Sequence, residues 1–112
     1  MKWVTDELKQ SVSNNEKVLV FAHHPLYPFS GYTALNDKEI LLTLKNYPCV
    51  KAVINGHHHT GAFGYYYHIP CITTEGMIET KDTTAYAVVD IFTDKIVISG
   101  TGRTRSYTLL FN

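Results

Sequence analysis

Val18-Leu19-Val20-Phe21-Ala22-His23-His24-Pro25 and Val50-Lys51-Ala52-Val53-Ile54-Asn55-Gly56-His57-His58-His59 are the stretches that decide the fold. Each opens as a short run of strand-forming apolar residues and stops abruptly at histidines. Runs of this kind suit strands buried on both faces of a sheet. Pro25 cannot donate to a ladder and closes the first run. Asn55-Gly56 breaks the second. In open α/β sheets, ligands gather at the carboxyl ends of the strands. If the two strands lie near each other in one sheet, both histidine clusters open onto the same place.

Working outward, Trp3, Val4, Leu8 and Val12 recur at helical spacing and predict an amphipathic helix over 2–13, ended by Ser13-Asn14-Asn15. Residues 26–36 carry Tyr, Pro, Gly, Ser and Asn and read as a loop. Asn36 or Asp37 caps a second helix running to about residue 46, with Ile40, Leu41 and Leu44 on one face. The second buried strand spans 50–54. Strands follow over 62–69, 71–75, 84–92 and 95–100, with Thr93-Asp94 as a hairpin turn and a further strand within 103–111. Tyr65-Tyr66-Tyr67 alternates sides of a strand and reads as structural. Helix, strand, helix, strand and then a run of strands describe an α/β fold, part of a layered sheet whose far edge is antiparallel. No repeat or linker divides it, so residues 1–112 are expected to form one domain.

The composition excludes more than it selects. A 45% hydrophobic and 18% charged chain of 112 residues is ordinary for a soluble globular protein. Ten basic and ten acidic side chains cancel, so no basic excess points to nucleic acid. No apolar run approaches the roughly 20 residues of a membrane span. Residues 1–10 carry Lys2, Asp6, Glu7 and Lys9 and do not read as a signal peptide. Cys49 and Cys71 sit in apolar surroundings without metal-like spacing and are expected to be reduced core thiols. A cytoplasmic location is expected on these grounds.

Five of the six histidines fall in the two clusters. Neutral imidazole is a common ligand for first-row metal ions. In an extended or turning segment residues two apart point the same way, so His57 and His59 are expected to face a common centre and His58 to face away. Gly56 offers backbone freedom for that turn. His23 joins them from the other strand. His24, His58 and His68 read as ordinary loop or partly buried histidines.

The strand ending in His23-His24-Pro25, followed by the strand ending in Gly56-His57-His58-His59, resembles the last two metal motifs of the calcineurin-like metallophosphoesterases, His-x-Pro and Gly-His-x-His. The likeness is nearest to their manganese-dependent ADP-ribose/CDP-alcohol diphosphatase branch. It shows in the Trp3 helix, in His23-His24-Pro25-Leu26-Tyr27-Pro28, in Thr74-Glu75-Gly76-Met77-Ile78-Glu79-Thr80 and in Gly100-Thr101-Gly102-Arg103. It covers nearly the whole chain but corresponds to the C-terminal part of such an enzyme. The implied fold is the C-terminal part of a metallophosphoesterase-type layered α/β sandwich. The resemblance implies that His23 and His57 bind one divalent ion and His59 another, the ions being manganese, zinc or iron. Two ions bridged by an aspartate would hold a phosphate and activate water, with no covalent protein nucleophile.

The family's earlier motifs, Asp-x-His, Gly-Asp-x-x-Asp and Gly-Asn-His, do not occur in this sequence. Three neutral ligands without a carboxylate do not complete a two-metal centre, so either a single ion sits on the three histidines or a missing N-terminal half comes from elsewhere. The expected function is a metal-dependent phosphoesterase acting on a small-molecule phosphoester or nucleotide-conjugate diphosphate. The alternative is a catalytically silent metal-binding or interaction module that keeps the histidine edge; a third reading is a purely structural domain. Tyr27, Phe29 and Tyr32, in the loop after His23, are candidates for stacking on a nucleoside base. Arg103 and Arg105 read as a solvated face, and the sequence assigns no role to Glu75 or Glu79. Uncovered sheet edges would favour self-association, so a homo-oligomer is expected.

Overall fold

A computed structural model describes residues 1–111. Helix α1 (Lys2–Ser13) leads into β1 (Val18–Ala22), α2 (Asp37–Leu44) and β2 (Val50–Asn55). The hairpin β3 (Ala62–Tyr66) and β4 (Ile69–Thr73) follows, then a single 3-10 turn (Met77–Glu79). Strands β5 (Ala85–Ile91), β6 (Lys95–Gly102) and β7 (Tyr107–Leu110) complete the chain. The first sheet has the order β1-β2-β4-β3, and the second has the order β5-β6-β7. β1, β2 and β4 run parallel, β3 is antiparallel to β4, and the second sheet is antiparallel throughout. The expected α/β class with an antiparallel far side is what forms.

Two cores explain the layering. Leu8, Leu26, Leu41, Leu44, Val50, Val53, Ile69 and Cys71 cluster between the helices and one face of the first sheet. Ala52, Ile54 and Ile72 meet Ile96, Ile98 and Leu109 of the second sheet on the other face. Strand alternation alone would put Val50 on the same side as Ala52. The register slips between Val18/Leu19, pairing Val18 with Val50 and Leu19 with Ala52, so Lys51 is an extra residue on β2. That bulge lets Val50 and Val53 share the helical face while Ala52 and Ile54 share the other.

Several expectations shift for local reasons. β2 is buried almost throughout, as expected, but β1 is only half-buried and Phe21 is 66% exposed. β1 lies at the sheet edge, and among the described residues nothing pairs with its outer side. The helical stripe of α1 is likewise incomplete: Leu8 is buried, whereas Trp3 and Val12 are exposed. The strand expected over 62–69 ends at Tyr66, because Tyr67 adopts a left-handed conformation (φ 54°) and turns the chain into β4. The strand expected within 103–111 is confined to 107–110, and β6 runs on to Gly102. The Thr93-Asp94 hairpin forms as expected, closed by Phe92 N donating to Lys95 O.

Both cysteines are free thiols. Burial pushes the Cys71 thiol up to about 12, which keeps it protonated and unreactive at neutral pH. No helix among the described residues is long and apolar enough to cross a membrane.

Candidate metal centre

The parallel register brings Ala22 beside Asn55, so β1 and β2 end together at one edge. Gly56 N donates to His23 O at 3.1 Å, carrying the ladder one step past the strands. Asn55 is buried and ties β2 to β4. Its Nδ2 donates to Thr73 Oγ1 (3.1 Å), and its carbonyl accepts from Thr74 N (2.9 Å) and Thr74 Oγ1 (3.2 Å). The point at which the histidine loop leaves the sheet is therefore rigidly fixed, as a ligand-bearing loop needs.

The loop itself is tightly turned rather than extended. His57 has φ 67° and His58 N donates to Gly56 O at 2.8 Å, the hydrogen-bond pattern of a three-residue γ-turn. A left-handed non-glycine residue is costly, and such strain is found at functional sites. The sequence assigned the conformational freedom to Gly56. The structure places the unusual angle at His57 instead, and nothing crowds Gly56.

Successive histidines consequently face three different neighbours. The His57 ring centroid lies 4.3 Å from that of His24 and 5.1 Å from that of His23, and His23 lies 4.9 Å from His24. One ligand nitrogen from each of these three exposed residues lies within 4.8 Å of the others. His24 thus stands in the cluster, although its sequence position suggested an ordinary loop histidine. His58 turns under Tyr32, with centroids 4.1 Å apart, and its Nε2 meets Thr60 Oγ1 at 2.8 Å. His59 turns toward the 3-10 segment, where its Nδ1 pairs with Glu79 Oε1. Partial desolvation, followed by the neighbouring His24, His23, His59 and His58, holds the His57 imidazole below its ordinary pKa. Each of those neighbours disfavours a second positive charge.

The aromatic loop divides in two. Tyr27 packs against Phe29 (5.1 Å) and Tyr66 (5.5 Å), anchoring the loop to the β3–β4 hairpin. Of the three aromatic candidates, Tyr32 is the one in contact with the histidines, half exposed and 6.2 Å from His57. Sequence reasoning gave Glu79 no part. Its signal lies in its spatial pairing with His59, twenty residues away along the chain.

No protein-family model matches the chain. The manganese-dependent ADP-ribose/CDP-alcohol diphosphatase of Homo sapiens is 32% identical over 92% of this chain and 32% of its own length. The Danio rerio protein of the same description is 30% identical over 100% of this chain and 36% of its own. A crystal structure of a dimetal phosphatase from Danio rerio superposes with a TM-score of 0.93 at 30% identity, covering 99% of this chain and 37% of that one. The chain spans about a third of the length of the curated relatives it matches. It is thus a relative of the manganese-dependent ADP-ribose/CDP-alcohol diphosphatases over that third, folded as the matching part of a dimetal phosphatase is.

Proposed function

We propose that this chain supplies the histidine edge of a two-metal phosphoesterase centre, and that the complete protein hydrolyses the diphosphate of a nucleotide conjugate such as ADP-ribose or a CDP-alcohol. The observation that carries this reading is the meeting of His23, His24 and His57 at the carboxyl ends of two adjacent parallel strands. Three imidazole nitrogens within 4.8 Å of one another suit one divalent first-row ion with an open position. His23 and His57 are the ligands proposed for that ion, with His24 close enough to join them. His59 is proposed for the second. Manganese is the favoured metal because the diphosphatases that the chain resembles are manganese-dependent.

Bound ions would lower the pKa of a water and stabilise both the attacking and the leaving oxygen of an in-line displacement. The chain's own part is to hold those ions and to shape the approach. His57 is fixed by its turn, and Tyr32, laid over His58, presents an exposed ring on which a nucleoside base can stack. The cluster contains only neutral ligands, whereas two divalent ions need carboxylates between them. Those ligands are proposed to come from outside these 112 residues. The same observation supports the second reading, a silent metal-binding module.

A manganese-dependent assay on ADP-ribose separates the two. The chain alone is expected to stay at the uncatalysed background, and joining it to the remaining two thirds of a relative is expected to produce AMP and ribose 5-phosphate. Turnover that survives His57→Ala in the joined protein would contradict the proposed role of this edge.

A further inference from the structure

We propose that Glu79 is a positioning residue: its carboxylate accepts the Nδ1–H of His59 and so leaves the opposite ring nitrogen, Nε2, free for a divalent cation. The proposal rests on the reading of the site given above and adds a residue that sequence alone left without a role. His59 Nδ1 meets Glu79 Oε1, and both side chains are about half exposed, at 45% and 44%. A pair this exposed adds little to stability. What it fixes is chemical direction. An imidazole donating from Nδ1 keeps its lone pair on Nε2. Metal-bound histidines commonly give their other N–H to a carboxylate, which sets the tautomer and the ring orientation.

The surroundings are built to hold that geometry. Gly76 N donates to His59 O at 3.0 Å. A Cβ on Gly76 would stand 2.6 Å from His59 Cγ, so the backbone itself lies against the ring where no side chain fits. The segment is in turn held by the loop between β6 and β7. Arg103 Nη2 donates to Gly76 O. Glu75, whose side chain is 7% exposed, receives Arg105 N at 3.4 Å and lies 3.8 Å from its guanidinium. The two arginines that read as a solvated face therefore brace the segment that carries Glu79 to His59.

The test uses zinc alone as the probe and the imidazole nitrogen resonances of the 112-residue chain as the readout. In the wild type, neutral His59 is expected as the Nδ1–H tautomer, with zinc shifting Nε2. Glu79→Ala is expected to mix the tautomers and to weaken zinc at His59 by roughly 10–100-fold. Glu79→Gln, which keeps an acceptor oxygen, is expected to recover most of both. An unchanged tautomer and unchanged zinc response in Glu79→Ala would overturn the proposal while leaving the metal reading of the site intact. Zinc that shifts His23 and His57 but never His59 in the wild type would overturn the ligand role of His59 and this proposal with it.

Discussion

His57→Gly is expected to fold as well as the wild type without metal, and to lose the rise in melting temperature that zinc or manganese gives the wild-type chain. Two properties meet in this one residue. His57 sits at φ 67°, a region that glycine enters without steric cost. Relief of that strain is offset by the greater freedom of glycine in the unfolded chain, so the metal-free melting temperature should move by only a few degrees. The imidazole, however, is the one that faces both His23 and His24. A ligand that binds only the native state must stabilise it, and at about a hundredfold excess over Kd the gain is roughly ten degrees for a domain of this size. Thermal denaturation with and without zinc checks both parts. A variant that keeps the full metal shift would remove His57 from the centre.

The second large effect is one of backbone packing rather than of metal binding. Gly102→Ala is expected to destabilise the chain by about 2–4 kcal/mol, a large share of the total for a domain of this size. Gly102 has φ 65°, and a Cβ there would stand 1.9 Å from the carbonyl oxygen of Thr84. That oxygen belongs to backbone and also accepts Arg103 N at 3.0 Å, so it cannot swing aside without breaking a bond at the start of β5. Gly31→Ala, where nothing lies within 4 Å, is the control and should be close to neutral. Urea denaturation gives the comparison, through a lower midpoint at unchanged slope. Equal midpoints for the two variants would show that the Gly102 turn relaxes freely.

What the sequence made legible follows from what periodicity encodes. The β2 run and the β5–β6 hairpin are local patterns, and the structure keeps them. The meeting of His23 and His57 was also legible, because two parallel neighbours must end at the same edge. Phe21 misled because a run of apolar residues does not say whether a further strand lies alongside. The expectation that His57 and His59 face one centre took residues two apart to point the same way in an extended or turning segment, whereas one left-handed residue sends the three rings to three different neighbours. Glu79 was invisible for a different reason. Its approach to His59 depends on how the loop between β6 and β7 holds Glu75 and Gly76 through Arg103 and Arg105, and no local pattern records that.

Whether the histidine edge holds an ion is read from the metal content of the purified chain by elemental analysis, after incubation with zinc or manganese and desalting. It should be measured beside a variant in which His23 and His57 are both alanine. The expected result is one retained ion per wild-type chain and none in the variant, because three converging nitrogens hold an ion through desalting, whereas the lone nitrogen of His59 lets a weakly bound ion wash away. Equal metal content in the two proteins, or none in either, would contradict it.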